Sequence, residues 1–157
     1  MSRSAAKLER LAAFGVDVGI DTARESQVEA VMAATDNRGV DVIVDTVGGT
    51  VFEANMKSLA VNGRLVQVAR LGSAAAQIDL ATLWMKRLKL IGVTFRTRTE
   101  QERLACIQAC ARDLLPLLNA GRIRWAIDRI FPLEAVAEAH AYMMQAQHFG
   151  KIVLTVD

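Results

Sequence analysis

Hydrophobic positions along this chain switch repeatedly between helical spacing and the alternation or continuous runs of strands. Leu8, Leu11 and Ala12 recur at helical spacing behind Ser4, a favoured capping residue, and Gly15 closes the segment. A short strand is expected at 18–20. Ser26 and Glu29 make an S-x-x-E capping box that opens a helix through Val28, Val31 and Met32, stopped by Gly39. Residues 40–47 read VDVIVDTV, a β-branched run of the kind covered by helices on both faces. Gly48 and Gly49 turn the chain, and Thr50 with Glu53 gives a second capping box. The helix that follows carries Phe52, Met56 and Leu59 on one face.

Asn62 and Gly63 turn into a strand at 64–69. Residues 70–77 read as loop, 80–86 as a short helix and 88–95 as a strand. Thr99 and Glu102 form a third capping box for the longest helix, with Leu104, Ile107, Ala111, Leu114 and Leu118 on one side and Pro116 near its end. Beyond Gly121 the pattern predicts a short strand at 127–131 and a last strand at 151–156. Between them lies an amphipathic helix over 133–147 with Leu133, Val136, Ala137, His140 and Met144 inward. Strands alternating with helices at this spacing predict βαβ units and a mainly parallel sheet.

Composition narrows the class. With 157 residues the chain has the length of one domain, and 52% hydrophobic content with two prolines marks it as globular. Nineteen Lys plus Arg against seventeen Asp plus Glu leave a net charge of +2, which makes no case for nucleic acid as a partner. No apolar run reaches the roughly 18 residues of a membrane helix, and no signal peptide opens the chain. Cys106 and Cys110, four apart in a helical pattern, suit core packing better than a disulfide framework or a zinc pair. A reduced, cytoplasmic α/β domain is the expectation.

Chemistry is sparse. The chain has no GxSxG, HExxH, CxxC or Walker A motif, and no GxGxxG turn of the kind that meets a pyrophosphate. His140 and His148 are eight apart, a poor metal pair, so no metal site is expected. His140 reads as a satisfied interior histidine, and His148, in a loop, leaves both readings open. Asp45 stands near the carboxyl end of its strand, where open α/β sheets bind ligands, but acceptance of turn amides explains it more simply. Ser2, Arg3, Ser4 and Lys7 lie at a helix start, where amides, dipole and cations suit a phosphate. A solvated helix start explains the same residues.

Eight segments in order add a further reading: GVDVGID (15–21), RGVDVIVDTVGG (38–49), NGRLVQV (62–68), GVTFRTRT (92–99), LLPLLNAGRIR (114–124), IDRIFPL (127–133), AEAHAYM (137–143) and GKIVL (150–154). Together they resemble the carboxyl-terminal half of a medium-chain dehydrogenase/reductase, zinc-type alcohol dehydrogenase-like, in the NADPH:quinone oxidoreductase-like branch. The resemblance implies an α/β fold: a partial Rossmann fold, doubly wound with a mainly parallel sheet, lacking the first βαβ turn and ending in a return βαβ segment. Residues 1–121 would be the partial coenzyme-binding domain. Residues 122–157 would be the return segment, which in the family packs on a catalytic domain absent from this sequence.

Residue by residue, the resemblance implies that Ser2, Arg3, Ser4 and Lys7 face an adenosine 2′-phosphate, hence NADP rather than NAD. Thr46, Val47 and Gly48 would lie on the adenine side. Val68, Ala69 and Arg70, with Phe95 and Arg96, would end strands that face the nicotinamide, and Gly150 and Lys151 would approach from the return segment. Three positions depart from the family pattern. Thr22 stands where many relatives carry a tyrosine, Ala69 where glycine is common and Trp125 where proline often follows. The intact enzyme would transfer a hydride to a small-molecule acceptor such as a quinone or enone. No residue here is assigned a catalytic role.

A sheet so reduced leaves residues 40–47 as an apolar edge that should seek a partner. Either the first helix–strand unit swings in to pair with it, or two chains pair; residues 88–95 form the other edge, and a homodimer through these edges is expected. Two functions compete: a fragment of an NADPH-dependent oxidoreductase, inactive alone and binding NADPH weakly or not at all, or a non-catalytic dimerisation module. A flavodoxin-like or methyltransferase domain would need a glycine-rich first loop, which is missing.

Overall fold

The computed structural model describes residues 1–156. Contacts divide the chain into two units, Met1–Glu100 and Gln101–Asp157, with Asp157 itself outside the described residues. The first unit holds α1 (Ala5–Ala12), α2 (Gln27–Ala34), β1 (Val40–Asp45), α3 (Phe52–Ser58), β2 (Leu59–Gln67), α4 (Leu80–Met85) and β3 (Lys89–Gly92). Helix α5 (Glu100–Asn119) starts at its last residue. The second unit continues with β4 (Ile127–Pro132), a 3-10 turn (Leu133–Ala135), α6 (Val136–Met144) and β5 (Lys151–Thr155).

Every strand pairing among the described residues is parallel, as the alternating pattern predicts. Strands β1, β2 and β3 lie side by side in chain order, with Ile43 opposite Leu65 and Leu65 opposite Leu90. Strands β4 and β5 pair with Ile130 opposite Val153. Parallel neighbours need a crossover, which α3, α4 and α6 supply.

The core of the first unit is Ile43, Met56, Leu59, Leu65 and Leu88, with Val40, Phe52 and Leu83 against it. It lies on one side of the sheet only. Ile43 is 8% exposed, whereas Val44, one residue on and pointing the other way, is 67% exposed. The expected cover on both faces of β1 is therefore corrected: α2 and α3 pack together on one side, and Val42 and Val44 face outward. Among the described residues strand β1 has β2 as its one strand partner, which leaves its other edge open.

Other expectations change for local reasons. No strand forms at 18–20; a lone parallel bridge joins Ser2 to Asp21, in which Ser2 N donates to Ile20 O and Thr22 N to Ser2 O, each 3.0 Å. The first helix–strand unit thus pairs with Ser2, not with β1. Ser26 Oγ does accept from Glu29 N at 3.4 Å, as the first capping box predicts. The second box is not made: Val51 precedes α3 without a side-chain cap, and Glu53 reaches forward to Lys57 at 2.7 Å. Strand β3 ends at Gly92 because Arg96 N donates to Thr94 Oγ1 and Arg98 Nε to Thr94 O, which curls the chain away. Helix α6 buries only Ala139; Leu133, Val136, Ala137, His140 and Met144 are all exposed, which overturns their inward placement. A two-stranded sheet offers that helix too little surface.

Strand β2 contains the turn at Asn62, whose φ is +64°. Between Val40 opposite Leu59 and Val42 opposite Arg64 the register jumps, so the turn bulges out of the strand. A clasp holds it: Asn62 N donates to Lys86 O (2.7 Å) and Arg87 Nε to Asn62 Oδ1 (3.0 Å). Lys86 Nζ donates to Lys57 O and Leu59 O, both at 2.7 Å, and so satisfies carbonyls at the end of α3. Burial lowers the pKa of this ammonium from the ordinary lysine value.

Gly39 enters β1 at φ +83°, where a Cβ would stand 2.7 Å from Ser58 O and 2.8 Å from Ala60 N. Gly15 has φ +82° and open space around it. Gly39→Ala should therefore cost roughly 3 kcal/mol, the left-handed backbone penalty plus a backbone clash, and Gly15→Ala about 1 kcal/mol. Urea unfolding of both variants measures this, and equal losses would contradict the packing at Gly39.

Candidate functional site

The site is built where β1 and β2 end. Asp45 closes β1 and is 3% exposed. Its Oδ1 accepts from Val47 N at 2.7 Å and Gly48 N at 3.1 Å. That is the structural role the sequence suggests for it, and it stops the strand two residues earlier than its β-branched run. Val68 N in turn donates to Asp45 O at 2.8 Å, which fixes the exit of β2 against the exit of β1.

Two loops are then zipped together. Leu71 N donates to Thr46 O (3.1 Å), Gly72 N to Val47 O (2.8 Å) and Gly49 N to Ser73 O (3.0 Å). Glycine is required for this approach: a Cβ on Gly48, at φ +86°, would lie 2.6 Å from Ser73 O, and one on Gly49 only 1.8 Å from Ala75 O.

A cleft of about 760 Å³ opens beside this zipper. Ser2 and Arg3 form one wall with Thr22, held there by the bridge between Ser2 and Asp21. Thr46 and Val47 form the other. Ser4 and Lys7 do not line it; Ser4 N donates to Ser2 Oγ at 3.1 Å, and Lys7 lies within α1. The Arg3 guanidinium has no carboxylate or carbonyl partner among the described residues. Gly48 shapes the turn but does not line the cleft.

Sequence reasoning misses Gln27 and Asn55, which also line this cleft. Asn55 is 2% exposed, and Gln27 Nε2 donates to its Oδ1 at 2.7 Å, joining α2 to α3. A polar residue amid the apolar face of α3 was the available signal.

Val68, Ala69, Arg70 and Arg96 meet in a second cleft of about 490 Å³, with Thr94. Phe95 does not line it; its ring lies 5.7 Å from the Arg98 guanidinium carbon. Leu71 borders both clefts. Gly150 and Lys151 belong to the second unit, where Gly150, at φ +91°, allows Lys151 N to donate to Ala126 O at 2.7 Å. Nearby, Tyr142 Oη donates to Asp128 Oδ2 at 2.6 Å beneath the Arg129 guanidinium, and His148 Nδ1 is buried without a hydrogen-bond partner. No three His, Cys, Asp or Glu side chains converge as metal ligands among the described residues. No helix among them is long and apolar enough to cross a membrane.

Comparison with known proteins gives concordant matches. A family model described as zinc-binding dehydrogenase matches residues 14–154. Quinone oxidoreductase-like protein 2 of Bos taurus is 30% identical over 142 residues, covering 90% of this chain and 40% of that protein. Acryloyl-coenzyme A reductase of Sulfurisphaera tokodaii is 28% identical over 116 residues, covering 73% of this chain and 32% of its own. The crystal structure of an alcohol dehydrogenase superfamily protein from Novosphingobium aromaticivorans superposes with a TM-score of 0.82 at 25% identity, over 99% of this chain and 47% of the other. The chain thus spans less than half the length of these relatives.

Removing the Asp45 carboxylate should open the zipper. Asp45→Ala leaves two turn amides without their acceptor and is expected to cost about 3 kcal/mol; Asp45→Asn keeps an acceptor oxygen and should cost about 1 kcal/mol. Hydrogen exchange at Val47 and Gly48, with urea unfolding, reads both. Unchanged protection in Asp45→Ala would sink this account.

Proposed function

The chain belongs to the zinc-binding dehydrogenase family of the medium-chain dehydrogenase/reductase superfamily, and on that premise we propose that it is the coenzyme-binding portion of an NADPH-dependent reductase. Its Rossmann-like parallel sheet places both clefts at the carboxyl ends of strands, where such sheets take ligands. The whole protein's acceptor would be a quinone, an enone or a related activated double bond, in keeping with the names of its relatives.

The observation that carries the reading is the donor set of the first cleft. Ser2 supplies a hydroxyl and Arg3 an unpaired guanidinium, which suits a dianionic 2′-phosphate, while the Thr22 hydroxyl donates to Ser2 O at 3.4 Å and so braces that wall. Thr46 and Val47 across the cleft offer an apolar and hydroxyl wall for adenine. Val68, Ala69, Arg70 and Arg96 would border the nicotinamide end. When bound, the reduced nicotinamide supplies the hydride. The protein's part is to hold and orient the coenzyme and to keep water away, and no side chain here is given a proton-transfer role.

Affinity from this chain alone should be weak, because it holds no GxGxxG turn for the pyrophosphate, and turnover is not expected from it. A second reading has its own observation. Strand β1 has one open edge, and β3 is exposed throughout, beside an exposed Trp84 and Met85 on α4. Pairing of two chains through these edges would make the protein a homodimer, and a dimerisation module if it never binds coenzyme. The free thiols of Cys106 and Cys110 suit a cytoplasmic setting.

Calorimetric titration should give tighter binding of adenosine 2′,5′-bisphosphate than of 5′-AMP, and Arg3→Ala should weaken the bisphosphate about tenfold while leaving 5′-AMP unchanged. Equal affinities in the unaltered protein would rule out the NADP preference. Light scattering at micromolar concentration should give twice the mass of one chain, and a monomer would count against edge pairing.

A further inference from the structure

The second cleft is lined by two arginines and by no acidic residue among the described ones. Arg70 follows β2 and Arg96 lies beyond β3, so two neighbouring parallel strands bring both arginines to the lining of one cleft. Neither arginine has an ion pair or a side-chain hydrogen bond among the described residues. By contrast, Arg38 is bidentate to Asp41 at 2.7 and 2.9 Å, and Arg112 pairs with Asp113 at 2.8 Å.

The loop between them is pinned without using either guanidinium. Arg98 Nε donates to Thr94 O at 3.1 Å while its guanidinium lies over Phe95. Thr94 Oγ1 accepts from Arg96 N at 3.2 Å, so its hydroxyl proton is left to donate into the cleft that Thr94 lines. Two cations and one hydroxyl donor that line one surface without an anion favour the entry of a negative group. The nicotinamide ring cannot be that group, since it is neutral when reduced and positive when oxidised.

We propose that Arg70, Arg96 and the Thr94 hydroxyl form a subsite for an oxyanion, carboxylate or phosphate, carried by the acceptor substrate. That the cleft takes an oxyanion stands on these residues alone; that the oxyanion belongs to the acceptor rests on the coenzyme reading above. The acceptor is then an acidic molecule, such as an unsaturated acid or a phosphorylated thioester, rather than a neutral quinone.

The full chain is titrated with crotonate and with crotonamide, its neutral counterpart, while the backbone amides of 68–71 and 93–96 are followed by NMR. Crotonate should bind about tenfold tighter than crotonamide, at those amides, and weaken with added salt. Arg70→Gln and Arg96→Gln should each reduce crotonate binding about tenfold and leave crotonamide unchanged; both side chains are exposed, so the fold is retained. Equal binding of acid and amide, or shifts elsewhere, overturns the subsite. NADPH is titrated into the same variants. A loss of NADPH affinity smaller than the loss of crotonate affinity supports the acceptor assignment, and a loss matching that of crotonate would give the arginines to the coenzyme pyrophosphate and overturn it. If NADPH binds the unaltered chain too weakly to titrate, as the lack of a GxGxxG turn allows, crotonate binding that still needs both arginines supports the oxyanion site by itself.

Discussion

A buried carboxylate holds this molecule's site together. Asp45 sits almost out of water, and a charge placed there is tolerable only when donors surround it. The Val47 and Gly48 amides are those donors. By taking them, Asp45 bends the chain off β1 at one fixed point and aims residues 46–50 under residues 70–75. Gly48 and Gly49 then permit a separation that a side chain would block, since a Cβ on either would run into a backbone oxygen of the facing loop. Both clefts are edges of this one zipper, and Leu71 in its middle borders each of them.

The sheet that carries the zipper is packed on one side. Ile43 and Leu65 lie in the core, while Val42 and Val44 on the other face of β1 meet solvent. Parallel sheets are ordinarily covered on both faces, and full burial of one valine is worth about 1.5–3 kcal/mol, so the open face is a standing invitation to a cover. The second unit shows the same economy. Only Ala139 and Phe149 are buried among its described apolar residues, and Met144 is 80% exposed. Edge pairing between chains, as proposed, would address the open strand of the first unit without covering its face.

Much of the fold is legible from spacing because local chemistry decides it. The box at Ser26 forms as written, since both partners lie within one turn. Parallel pairing follows from crossover helices between short β-branched runs. The sites are less legible because they join distant residues. Ser2 and Arg3 reach Thr46 and Val47 only through a bridge to Asp21, and Arg70 meets Arg96 only because β2 and β3 are neighbours. Thr50 fails as a cap because α3 starts one residue later, with Val51 in the capping position, and the Glu53 side chain pairs with Lys57 instead. Asn55 is hidden for a similar reason: its role as a buried partner of Gln27 depends on how α2 lies on α3.

By itself the sequence determines the α/β class and the parallel pairing, which rest on patterns between chain neighbours, and the family resemblance, which rests on the order of eight short segments along the chain. The tertiary structure alone decides which faces are covered, that 18–20 yields a single bridge instead of a strand, that His140 faces outward, and which cations share a cleft. Those outcomes turn on what surface a neighbouring segment can offer. Hydrophobic periodicity marks a face as fit for burial, but burial happens only where another element stands opposite it.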